Sequence, residues 1–234
     1  MIDAGTSGPT LNSLELTGRA ATHVCEVADP ECVLHSRAAE ALIAMRNEAR
    51  TADIDLNVVS SFRDFNRQAA IWNAKFNGQR PLLDASGAEI NYADLYESAL
   101  IDAILTWSAL PGASRHHWGS EIDVIDRAAL PAGAPPQLLA PQFAVGGCFE
   151  RLNGWLDSNM RRFGFFRPYA TFQGGVQPEA WHLSYAPVAL PALEVLSLEV
   201  LREALEDAQL PGKQTVLERL PELYQRYVLA VDPA

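Results

Sequence analysis

Apolar residues recur at helical spacing in several stretches of this chain. Over residues 36–50, Ala39, Leu42, Ile43 and Met45 form one face of a predicted helix, with Ser36 as a plausible N-cap. The β-prone run 54–59 predicts a short strand. It leads into SSFRDFNRQAAIWNAKF, where Phe65, Ala69, Trp72 and Phe76 make a second helical stripe. Residues 78–91 are rich in turn formers and predict a loop, and residues 92–110 a helix that stops at Pro111-Gly112. SRHHWGSEIDVID reads as a loop entering a strand, because its second half alternates and ends in β-branched residues. Residues 127–147 carry four prolines and three glycines and predict an irregular connection. Residues 149–163 are helical again, with Leu152, Trp155, Leu156 and Met160 on one side. Gly164 ends them, and the aromatic run FGFFRPY starts another strand. After Pro187 two strongly helical segments, 193–210 and 215–228, flank Pro-Gly-Lys.

The resulting order, helix–strand–helix–helix–strand–helix–strand, has no regular βαβ alternation and excludes a doubly wound sheet. It predicts an α+β fold: a small antiparallel sheet flanked by helices, with a C-terminal helical hairpin. Residues 1–20, polar and rich in Gly, Thr and Ser, are expected to be a loosely ordered lead-in. Residues 21–187 then form the main domain, and residues 188–234 the hairpin packed on it.

Composition narrows the function. With 234 residues, 48% of them hydrophobic and 20% charged, the chain is long enough to bury a real core. A net charge of −11 without any polybasic run argues against nucleic acid and against an anionic membrane surface. Three cysteines cannot build a disulfide framework. Cys25 and Cys32 enclose a short acidic loop and can pair in an oxidising compartment, leaving Cys148 free; their spacing fits no usual zinc pattern. The opening MIDAGTSGPTLNS lacks a charged and then apolar leader, and no apolar run approaches membrane-spanning length. The expectation is a soluble, cytoplasmic protein, or a periplasmic one if a leader was removed before this numbering. No oligomeric state follows.

The chemistry gathers in two segments. Histidine is scarce, with five at positions 23, 35, 116, 117 and 182. Three of them fall in residues 114–123 (SRHHWGSEID) and 179–185 (EAWHLSY). A catalytic zinc takes three ligands from His, Asp or Glu and keeps one position open. A His and Asp123 from the first segment plus His182 from the second meet that need, and Glu179, three residues before His182, can serve as a base. Spacing alone is weak support, since His and Asp seven apart occur often by chance.

The wording of these segments is more specific. SRHHWGSEID resembles the S-x-H-x-x-G-x-A-x-D motif, and EAWHLSY the E-P-W-H-x-x-Y motif, of the D-alanyl-D-alanine carboxypeptidase/dipeptidase family of zinc peptidases. That family shares its metal site with lysostaphin-type enzymes and the hedgehog domain. Ser60-Ser61-Phe62-Arg63 followed by Gln68 resembles its S-x-Y-R-x-x-x-x-Q segment. The resemblance covers about residues 36–187. It implies one zinc per chain, carried on the small sheet by His116, Asp123 and His182, with Glu179 as general base. It makes Arg63 the group that binds a substrate carboxylate or steadies the oxyanion. Gln68 would brace this region, and Ser114 would hydrogen-bond substrate or loop. His116 rather than His117 fits the motif, standing three before Gly119 and seven before Asp123. His117 is left to pack behind the site, touch substrate or face solvent.

The implied substrate is a peptidoglycan stem peptide or muropeptide, and the leading activity is D,D-carboxypeptidase release of a terminal D-Ala. An L-Ala-D-Glu-type endopeptidase and a D,D-dipeptidase are the enzymatic alternatives. A zinc-stabilised binding module, as in hedgehog relatives, is the non-enzymatic one; retention of Glu179 and Arg63 argues against it. Three departures from the motifs bear on the substrate: Phe62 replaces Tyr, Glu121 a small residue, and Ala180 a Pro. Trp118 and Trp181 are expected to pack around the site. Glu121 and Asp126 are expected to be solvated or to lie behind the ligands. Glu199, Glu203 and Glu206 are expected to form a solvated helix face.

Overall fold

The computed structural model describes residues 10–131, 133, 135 and 137–234. In chain order its elements are α1 (Ser13–Leu16), β1 (Val24–Ala28), β2 (Glu31–His35), α2 (Ser36–Thr51), β3 (Leu56–Ser60) and α3 (Phe65–Phe76). Then come β4 (Leu82–Leu83), β5 (Glu89–Ile90), α4 (Glu97–Leu105), β6 (Glu121–Asp126), α5 (Ala140–Phe143) and α6 (Glu150–Asn159). The chain finishes with β7 (Phe165–Phe166), β8 (His182–Tyr185), α7 (Ala186–Val195), α8 (Leu198–Glu206) and α9 (Lys213–Leu223). The architecture is the predicted α+β class. A four-stranded antiparallel sheet in the order β3-β6-β8-β7 forms its centre.

Alternation along β6 divides its side chains between two jobs. Ile122 and Val124 enter a core with Leu42 and Met45 of α2, Leu152 and Leu156 of α6, and Leu183 of β8. Glu121 and Asp123 point to the other face. A second core joins Trp72 of α3 and Ile101 and Ile104 of α4 to Trp118, Leu201 of α8 and Leu220 of α9. The C-terminal helices therefore complete a core and are not a surface appendage. Trp72 adds a bond across that junction, its indole N–H donating to the Pro211 carbonyl at 3.1 Å.

Several local expectations need correction. The lead-in is ordered from residue 10 on. Asn12 caps α1 in a capping box with Glu15, Leu11 and Leu16 are buried, and the Trp118 indole donates to the Leu16 carbonyl at 3.2 Å. Residues 1–9 of that lead-in lie outside the described residues. The pattern of residues 21–35 predicts no strand, yet β1 and β2 form a hairpin there, with Cys25 opposite Leu34 and Cys32 opposite Val27. The two cysteines are thus diagonal neighbours, and both are free. The 78–91 loop contains the small hairpin β4–β5, and the 92–110 helix shrinks to α4 preceded by a single 3-10 turn, Tyr92–Asp94. The expected 193–210 helix is two. α7 stops at Val195, and Ser197 starts α8 afresh by accepting from the Val200 N–H. No helix among the described residues is long and apolar enough to cross a membrane.

Candidate metal centre

The 3-10 turn Arg115–Trp118 delivers His116 to the sheet, and Gly119 then swings the chain into β6. Gly119 has φ 67°, and a Cβ there would sit 2.5 Å from Val24 Cγ1 and 2.8 Å from the His35 nitrogen, so glycine is required twice over. Asp123 of β6 and His182 of β8 are register partners across the antiparallel pair, which places side chains 59 residues apart next to each other. The result is a buried cluster of His116, Asp123 and His182 whose ligand atoms all lie within 4.8 Å of one another.

Each imidazole is tied at its far nitrogen. His116 Nδ1 lies 2.7 Å from the Ser61 carbonyl, leaving Nε2 directed at Asp123 Oδ2, 3.4 Å away. His182 Nε2 lies 2.9 Å from Glu121 Oε2, leaving Nδ1 at 2.9 Å from Asp123 Oδ1. A carbonyl or carboxylate behind a ring holds the proton there and turns the opposite lone pair inward. Two such nitrogens and one carboxylate oxygen fit the donor set of a zinc with an open coordination position.

Glu179 stands beside this set without belonging to it. Its Oε2 is 3.6 Å from His182 Nδ1, and its backbone N–H donates to the Tyr169 carbonyl at 2.9 Å. Burial pushes its carboxyl up to about 7, with Asp123 adding to the rise against the pull of His182 and Arg63. Burial alone would raise Asp123, but the charges and hydrogen bonds of His116 and His182 hold it far below the usual carboxylate range. Burial opposes a charge on both histidines. Hydrogen bonds to Asp123 and Glu121 reverse that for His182, whose Nδ1 proton a bound metal would displace, while Arg63 adds to the lowering of His116.

Arg63 touches the ligands themselves. Its Nη2 lies 3.2 Å from both Asp123 Oδ2 and His116 Nε2, and Nε and Nη2 also donate to Ser60 Oγ at 3.1 and 3.0 Å. Gln68 accepts from Arg63 Nη1 at 3.3 Å and donates to the Ala109 carbonyl at 2.8 Å, bracing the guanidinium. Ser114 is buried at the start of the 3-10 turn and lines the same cavity. That cavity, about 240 Å³, also exposes Glu179, His116, His182, Tyr169 and Trp181. Leu83, Leu138 and Tyr227 enter it from three segments that carry no motif, so sequence reasoning had no means of naming them.

The remaining residues singled out in the sequence, apart from Trp181 on the cavity wall, lie outside the cavity. His117 is fully buried, with Nδ1 2.6 Å from the Arg63 carbonyl and Nε2 accepting from the Gly112 N–H at 3.1 Å; burial pushes it down to about 4. Solvent exposure and substrate contact are thereby excluded for it. Trp118 and Trp181 are buried, as expected, and Trp181 stacks on Trp107. Asp126 is no solvated carboxylate: its Oδ1 accepts from the Asp55 and Ala128 N–H groups at 3.0 and 3.1 Å. Glu121 is completely buried. It accepts from Ser120 Oγ at 2.8 Å and Ser184 Oγ at 2.7 Å, and lies 3.5 Å from Arg115 Nε. Burial would raise its carboxyl, but Arg115 and the bonds from His182 and Ser184 hold it at about 2. The sequence did hold a clue, since residues 121 and 123 share a face of any strand.

A buried His–Asp–His set with an unligated glutamate beside it, on a small antiparallel sheet, defines a zinc metallopeptidase centre. The VanY family profile, D-alanyl-D-alanine carboxypeptidase, matches residues 31–188, about two thirds of the chain, and the chain belongs to that family. A Haemophilus influenzae protein described as uncharacterized is 33% identical over 126 residues, 53% of this chain and 96% of that one. A D-alanyl-D-alanine carboxypeptidase of Enterococcus faecalis is 32% identical over 114 residues, 47% of this chain but 36% of its own length. The solved structure of VanYB in complex with D-Alanine-D-Alanine shares the fold, with a TM-score of 0.50 and 22% identity over 80% of this chain and 89% of that one.

Proposed function

We propose that this chain hydrolyses the terminal D-Ala-D-Ala bond of peptidoglycan stem peptides or their fragments. His116, Asp123 and His182 hold the zinc, Glu179 is the general base and Arg63 stabilises developing negative charge. The observation that carries this reading is the placement of Glu179 Oε2, 3.6 Å from His182 Nδ1 and outside the ligand set. A binding module has no use for such a carboxylate.

Zinc, when bound, supplies a Lewis acid that polarises the scissile carbonyl and makes water a better nucleophile at neutral pH. Glu179 takes the proton of the attacking water and passes it to the departing amine, a shuttle that its place beside the ligand set but outside it allows. The oxyanion role of Arg63 is supported by its Nη2, which lies 3.2 Å from two of the ligands and so beside the place where the scissile carbonyl would have to bind. That placement favours the oxyanion role over anchorage of a distant substrate carboxylate. Trp181 and Tyr169 line the cavity and exclude bulk water from these groups.

The test offers zinc-loaded protein a pentapeptide ending in D-Ala-D-Ala and follows products by mass spectrometry, with Glu179→Ala as control. Release of one D-Ala by the wild type, and none by the variant, is the expected result. Release of intact D-Ala-D-Ala or any other internal cut would replace the carboxypeptidase reading with an endopeptidase, and hydrolysis of free D-Ala-D-Ala with the pentapeptide left whole would replace it with a dipeptidase. An untouched peptide over a broad panel would leave only the binding module.

A further inference from the structure

We infer that Glu121 is a positioning residue for the metal: it fixes the proton of His182 on Nε2 and thereby aims the Nδ1 lone pair at the metal position. The inference rests on the reading of His182 as a zinc ligand and extends it to a residue that the family motif leaves small.

The strand geometry makes the arrangement specific. Glu121 and Asp123 are two residues apart on β6 and share a face, while His182 and Ser184 are two apart on β8 and pair with Asp123 and Glu121 respectively. One imidazole is therefore held between two carboxylates, with Asp123 Oδ1 2.9 Å from Nδ1 and Glu121 Oε2 2.9 Å from Nε2. A neutral ring has one N–H. Placing the metal on the Nδ1 side leaves that proton to Nε2, where Glu121 is the acceptor. A carboxylate behind a ligating histidine makes the near nitrogen a stronger donor and sets the ring plane.

The protein maintains this carboxylate at some cost. A fully buried anion is unfavourable unless it is paired and hydrogen-bonded. Arg115 lies 3.5 Å away, and the hydroxyls of Ser120 and Ser184 fill the remaining positions on Glu121. Arg115 in turn bonds Ser184 Oγ at 2.7 Å and packs 4.7 Å over the Trp118 ring. A small residue at position 121, as the family motif has it, offers no acceptor to Nε2. The departure from the motif is thus matched by a counter-charge and two hydroxyl donors.

Zinc affinity is measured by chelator competition on wild type, E121Q, E121A, the double variant R115M/E121A and H182A. E121A is expected to weaken zinc about 10–100-fold, the range for loss of a residue supporting a metal ligand. The double variant removes both buried charges together, so a folded protein with the same weakening separates loss of the acceptor from loss of stability. E121Q keeps an oxygen for Nε2–H but not the charge, and a several-fold loss is expected; it decides the question should the alanine variants fail to fold. In 15N-labelled, zinc-loaded wild type the His182 proton is expected on Nε2, exchanging more slowly than in E121A. Zinc affinity unchanged in a folded E121A or, failing that, in E121Q overturns the inference while leaving the ligand assignment intact. Equal zinc affinity of wild type and H182A overturns both.

Discussion

His117 places its Nδ1 2.6 Å from the carbonyl oxygen of Arg63, and this one bond separates two adjacent histidines into different roles. The Gly112 N–H donates to the opposite nitrogen at 3.1 Å, so the ring is neutral with its proton on Nδ1. His117 is a clamp that joins residue 63 to the turn before the site. Of the two, only His116 faces Asp123.

Substitution therefore has opposite consequences at neighbouring positions. His116→Ala and His182→Ala are expected to lose stoichiometric zinc, measured by elemental analysis after dialysis. His117→Ala is expected to retain it but to lose about 1–3 kcal/mol of stability, the cost of leaving buried polar groups without partners. Equal zinc content in all three variants would refute the ligand assignment.

The cluster was legible in the sequence because three motifs stood in order around it, and residues 116, 123, 179 and 182 do meet. Helical stripes such as Phe65, Ala69, Trp72 and Phe76 were legible because a 3.6-residue period survives any tertiary context. Two features escaped for physical reasons. The β1–β2 hairpin is short and half exposed, so its apolar alternation is incomplete. The role of Glu121 depends on its register against β8, a non-local pairing that no window of sequence contains.

Arg63 offers a sharper test of mechanism than of binding. Its guanidinium contacts Ser60, Gln68, His116 and Asp123 at once, a fork that an ammonium cannot reproduce. Arg63→Lys is expected to lower kcat about 10²–10³-fold, as for loss of one oxyanion donor, with a smaller change in KM. A rise in KM with kcat intact would reassign the side chain to the substrate carboxylate.

The cysteines predict an order of labelling. Cys25 is exposed, whereas burial pushes the Cys32 thiol up to about 11, with Cys25 adding to the rise and Arg46 opposing it. Only the thiolate alkylates, so at pH 8 Cys32 is ionised to about one part in 10³ and each further pH unit raises its rate about tenfold. Iodoacetamide followed by peptide mapping is expected to modify Cys25 first and Cys32 last. Early modification of Cys32 at pH 8 would show that the hairpin opens.

The C-terminal helices decide whether the domain ends where the family match ends, at residue 188. Leu220 of α9 is fully buried in one cluster with Trp72, Ile101, Leu201 and Leu205, so α8 and α9 cover α3 and α4. Leu220→Ala is expected to cost about 2–5 kcal/mol in urea denaturation, as for a core leucine that leaves a cavity. Truncation at residue 197 uncovers Trp72 and Ile101 and is expected to give insoluble protein. The effect reaches the site through α3, which carries Gln68 and hence the brace on Arg63. A truncated chain that remained soluble, bound zinc and released D-Ala at the wild-type rate would show the hairpin to be an independent addition.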